Sequence, residues 1–127
     1  MTGLKVFALL NGGFYVLYGL FGAFMPQNML KLMGWTANQL GLHQIRAVSL
    51  AMTAIGLIIC AAALRMADLV PLTLAIILLT LGFLTGRLLG LVLDGAGPQQ
   101  TYAEIGIEIV VIALGVFLIS RVSNGGA

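Results

Sequence analysis

Few side chains in this 127-residue chain could do chemistry, and most of those are charged. Glu104 and Glu108 stand one helical turn apart. Arg46, Arg87, Asp94, His43 and Tyr18 join them as the polar groups singled out within otherwise apolar stretches. Two carboxylates with an arginine and a histidine nearby have the composition to pass protons or hold a cation. They lack the spacing of a metal centre. Helical di-metal sites draw Glu-x-x-His pairs from facing helices, and the sequence has no such pair. The single cysteine, Cys60, joins no Cys/His cluster of zinc spacing and reads as a small packing residue. Glycine-rich phosphate loops, nucleophile elbows and zinc motifs are missing. The expectation is a non-catalytic protein without metal or cofactor.

Such residues need elements to hold them, and composition says in which solvent. Of the residues 61% are hydrophobic and 8% charged, with a mean hydropathy of +1.12. Soluble domains carry roughly 25% charged residues, and a domain this small has too much surface to bury so much apolar side chain. The pattern predicts an integral membrane protein with the lipid bilayer as its solvent. A hydrocarbon core of about 30 Å takes roughly 20 helical residues, and four stretches qualify: 4–25, 43–64, 69–93 and 103–120. Pro26, residues 65–68 and residues 95–98 punctuate them. Lys5 ahead of an apolar run has the look of a secretory signal. The run continues to Met25 without a small-x-small cleavage pattern, so the segment is expected to be retained. The predicted fold is all-α, a single membrane domain forming a four-helix bundle. Between the first two spans, Met29, Leu30 and Met33 share a helical face opposite Lys31. That predicts a short interfacial helix, with Trp35 as its anchor. A scattered net charge of +2 leaves no footprint for nucleic acid.

Depth then sorts the polar residues. Lys5, Arg65 and Arg121 lie on the side of the termini, against Lys31 in the opposite loops. The positive-inside rule therefore predicts cytoplasmic termini. Tyr18, His43, Arg46, Arg87, Asp94, Glu104 and Glu108 all fall in the other, non-cytoplasmic half. At 1.5 Å per residue Arg87 sits about 10 Å below the interface, and Glu108 reaches a comparable depth. An ionised side chain facing lipid costs about 2.5–3.5 kcal/mol even on the insertion scale. These groups are therefore expected to face inward and pair, Arg87 with Glu108, and Arg46 with Glu104 or Asp94. Small residues supply the packing faces. Gly82, Gly86 and Gly90 form a doubled GxxxG in the third span, and Ala8, Gly12, Gly19 and Ala23 line the first. The third-span ladder is expected to pack against another helix.

Tyr18-Gly-Leu-Phe-Gly-Ala-Phe-Met-Pro26, Arg46 opening the second span, Gly86-Arg-Leu-Leu-Gly-Leu-Val-Leu-Asp-Gly95 and a glutamate early in the last span carry a resemblance. Along nearly its whole length the chain resembles a family of small uncharacterised bacterial four-span membrane proteins. The resemblance implies the four-helix fold and a bacterial inner membrane, and it implies no activity. Short loops, the missing catalytic constellation and the small-residue faces point to an accessory subunit of a larger membrane complex, or to a lipid- or quinone-binding module. The alternative is a small transporter or proton-coupled protein, a homo-oligomer with Arg46, Arg87, Glu104 and Glu108 as its polar pathway.

Overall fold

The computed structural model describes residues 2–33, 36–97 and 99–122. Among the described residues there are five helices and no strand: α1 (Thr2–Phe24), α2 (Pro26–Met33), α3 (Gln39–Arg65), α4 (Val70–Asp94) and α5 (Gln99–Arg121). Helices α1, α3, α4 and α5 are long and apolar enough to cross a bilayer. The all-helical class and the short helix between the first two spans agree with the sequence pattern. Trp35, its expected anchor, lies outside the described residues.

Local chemistry sets the helix ends. α1 stops at Phe24 because Pro26 has no N–H with which to continue the ladder. Pro26 opens α2 instead, where its fixed φ suits a first turn. Met25 joins the two, donating to the Phe21 carbonyl at 2.8 Å and accepting from the Met29 N–H at 3.0 Å. α3 begins at Gln39 rather than His43 because Asn38 caps it. The Gly41 N–H donates to Asn38 Oδ1 at 2.9 Å, and the Leu42 N–H to the Asn38 carbonyl at 3.0 Å. α4 opens behind Asp68, whose Oδ1 accepts the Val70 N–H at 3.1 Å. It closes on Gly95 at a φ of 92°, a conformation that glycine adopts without the strain of a Cβ.

Contacts gather the chain into two compact units, Ala8–Arg65 and Met1–Phe7 with Met66–Ala127. In the first, α1 and α3 run antiparallel with their backbones touching. A Cβ on Gly12 would lie 2.9 Å from the Gly56 carbonyl oxygen, and one on Gly56 would lie 2.5 Å from the Gly12 carbonyl oxygen. Further along, Gly19 abuts the Ser49 carbonyl and the Thr53 hydroxyl, and Gly22 abuts the Ser49 hydroxyl and Met29. Thr53 Oγ1 donates to the Ser49 carbonyl at 3.1 Å and reaches the Val16 carbonyl of α1 at 3.5 Å. In lipid no hydrophobic effect drives helices together, so dispersion along such a seam is what holds the pair. α2 packs on α3, and Met29 and Leu30 are its buried apolar side chains.

In the second unit α4 and α5 pack antiparallel. Leu69, Thr73, Ile76, Ile77 and Thr80 form the buried face at α4. Ile77 fills the space beside Gly115 of α5, where an added Cβ would come within 2.9 Å of it and 3.1 Å of Phe7. The Thr73 and Thr80 hydroxyls donate to the Leu69 and Ile76 carbonyls, each at 2.8 Å. These buried hydroxyls are thus satisfied within their own helix. Outward, Leu17, Phe24, Leu78 and Val92 are 71–79% exposed, which suits hydrocarbon and not water.

Candidate functional site

The buried face of α4 continues at three- and four-residue steps from Thr80 through Leu84 to Arg87, which carries the guanidinium to the side that meets α5. Glu104 and Glu108 rise from one face of α5 to receive it. Arg87 Nε donates to both carboxylate oxygens of Glu108 at 3.1 Å. Arg87 Nη2 lies 2.5 Å from Glu104 Oε2. Glu104 Oε1 in turn accepts from Gln100 Nε2 at 3.1 Å. The glutamate side chains are 15% and 11% exposed and that of Arg87 31%, so the carboxylates are the sequestered partners. A planar guanidinium presents donors in a fork that can serve two carboxylates at once.

The cluster is one polar chain, Gln100 to Glu104 to Arg87 to Glu108. It has two carboxylates for one guanidinium, a formal charge of −1 when both are ionised. It contains neither a nucleophile nor a histidine. Among the described residues no group of three His, Cys, Asp or Glu side chains is placed to hold a metal ion.

The structure pairs Arg87 with Glu108, the partner that depth matching selects. Within its own unit Arg46 takes an acceptor that depth matching does not select. Its Nη1 donates at 2.5 Å to the carbonyl of Ala23 in the last turn of α1. The reason lies in Pro26: where α1 ends, its last carbonyls lose their in-helix donors, and a cation near a helix C-terminus also meets the favourable end of the macrodipole. In the other unit Glu104 pairs with Arg87, and Asp94 stands exposed at the end of α4, outside that cluster. His43 is exposed one turn before Arg46 on α3. Tyr18 is half-buried, with its ring stacked on Phe14 at 5.4 Å.

The glycines divide. Gly12 and Gly19 lie in the α1–α3 seam, with Gly22 and Gly56. Within its own unit, the ladder of Gly82, Gly86 and Gly90 faces no described helix: a Cβ on any of the three would meet nothing within 4 Å. Four-residue spacing puts them on one stripe, and α4 turns a different stripe, Thr73 to Arg87, toward α5. Gln100 was not among the predicted site residues, although its four-residue spacing to Glu104 is a recognised side-chain pairing distance on a helix.

Four apolar helices of spanning length make this a multi-pass helical membrane protein. The chain belongs to the family described as a domain of unknown function, DUF4345, whose model matches residues 3–119. No protein of curated function and no solved structure matches it.

Proposed function

We propose that the protein is a non-catalytic accessory subunit that binds a larger membrane protein through the glycine stripe of α4. The observation that carries this reading is that, within its own unit, no described residue fills the space beside Gly82, Gly86 and Gly90. Each glycine in a helix interior costs about 1 kcal/mol relative to alanine, and close backbone approach is what offsets that in a membrane. At Gly12, Gly19 and Gly56 the chain supplies the approaching helix itself; at the α4 ladder another protein supplies it. The neighbouring surface fits. Only 6% of the apolar stretch of α5 is buried, against 39% of that of α1. The Arg87 cluster acts as a fixed strut between α4 and α5, since both carboxylates and the guanidinium have partners. The setting we propose is a bacterial inner membrane, with both termini in the cytoplasm.

Purification of the tagged chain in mild detergent tests the reading. A second membrane protein in fixed stoichiometry, lost with Gly86→Leu, is the expected result. A solitary chain, or one bound only to copies of itself, would refute it. The two-to-one ratio of carboxylates to guanidinium favours one other reading, a proton-coupled transporter. That reading requires a flux in proteoliposomes that Glu104→Gln or Glu108→Gln abolishes, whereas the subunit reading requires no flux.

A further inference from the structure

The Ala8–Arg65 unit contains Lys31, His43, Arg46 and Arg65 and not one Asp or Glu. Arg46 therefore has no carboxylate within its own unit. One of its N–H groups is fixed on the Ala23 carbonyl. Within this unit no other acceptor is recorded for its remaining donors, and Arg46 is an exposed residue. A guanidinium held at one corner and open on the rest is a preorganised anion receptor.

Its depth says which anion. α3 has 27 residues, about 40 Å at 1.5 Å per residue, against a hydrocarbon core of about 30 Å. Arg65 is the charged, exposed last residue of α3, and it marks one edge of the core. The surplus of about 10 Å, roughly two turns, falls at the other end, over Gln39 to Ile45. Arg46 comes next, at the boundary. The α1 side agrees, since the carbonyl that Arg46 holds is in the last turn before Pro26 ends the span. His43 lies one turn toward the aqueous end on the same helix face, and Lys31 sits in the last turn of α2, which packs on α3.

We propose that Arg46 is a phospholipid site. The guanidinium, docked on the Ala23 carbonyl, holds the phosphodiester of an anionic lipid in the leaflet on the α2 side. His43 adds a neighbouring polar contact and Lys31 a positive field. The preference is for a net-anionic headgroup, because the surrounding charge is positive and unopposed by any acid within the unit. A zwitterionic lipid brings its own cation to a place already cationic. The site is on a different unit from the glycine ladder and does not depend on the subunit reading.

The test equilibrates the purified chain in mixed micelles of equimolar phosphatidylglycerol and phosphatidylcholine. The lipids retained by the folded, monodisperse protein are then measured by native mass spectrometry. The wild type should retain phosphatidylglycerol in excess, and Arg46→Gln should lower that excess about fivefold, as expected for one basic residue at an anionic surface. Arg46→Lys should keep part of the preference, since a point charge remains but the fork is lost. Arg65→Gln should leave it unchanged. Should Arg46→Gln fail to fold, the double variant Lys31→Gln, His43→Gln, which removes no hydrogen bond seen in the structure, must lower the preference. No excess in the wild type, or an excess untouched by every variant on the α2 side, would overturn the proposal.

Discussion

Alanine at Gly56 and alanine at Gly86 add the same methyl group to two helices and should move stability in opposite directions. At Gly56 the new carbon would lie 2.5 Å from the Gly12 carbonyl oxygen and 2.8 Å from the Val16 nitrogen. Both are backbone atoms and cannot rotate away. Restoring ordinary contact near 3.4 Å requires α1 and α3 to part by about 0.9 Å. A gap of 0.5–1 Å forfeits about a quarter to a half of each dispersion contact, and it would do so at Gly12, Gly19 and Gly22 as well. Overpacking of this kind costs about 1–3 kcal/mol, more than the roughly 1 kcal/mol that alanine gains in helix propensity. Gly56→Ala should therefore destabilise the isolated chain. Gly86→Ala meets open space and keeps the propensity gain, so it should stabilise by up to about 1 kcal/mol. Pulse proteolysis across an SDS titration in mixed micelles measures both. A wild-type midpoint for Gly56→Ala, or a loss at Gly86→Ala matching that at Gly56, would refute the packing argument.

The charge cluster predicts an asymmetry of its own. Arg87→Met strands two carboxylates and should cost about 3–5 kcal/mol; Glu104→Gln or Glu108→Gln leaves one ion pair standing and should cost less. Equal losses in the same titration would contradict the arrangement. Asn38→Ala removes the α3 cap and should cost about 1 kcal/mol, visible as faster amide exchange at Gly41 and Leu42. A fluorescent protein fused to the C-terminus should glow and an alkaline phosphatase fusion should be inactive if the termini are cytoplasmic; the reverse pattern would invert the topology.

Long apolar runs announce spanning helices because the bilayer demands both length and apolarity, and all four such helices stand where the sequence places them to within a few residues. The largest offsets are at the starts of α3 and α5: α5 opens on the polar Gln99-Gln100-Thr101, and the Asn38 cap that starts α3 leaves no mark on hydropathy. Arg87 with Glu108 was legible because depth can be counted from span ends. Arg46 was not, since its acceptor is a backbone carbonyl freed by a proline in another helix, and every residue type has a carbonyl. The α4 ladder marks the limit in another way. Spacing shows that Gly82, Gly86 and Gly90 share a stripe, yet nothing in the spacing says which stripe of α4 turns inward. The buried Thr73 and Thr80 and the half-buried Arg87, also seven residues apart, occupy the inward one.

Site-specific photo-crosslinking from position 86 in native membranes tests the proposed role of this face most directly. A photoreactive residue there should yield one discrete protein adduct, and the same residue at Leu17, an exposed apolar position on α1, should yield lipid adducts. Lipid adducts alone from position 86 would show that the glycine face meets only the bilayer and would contradict the account.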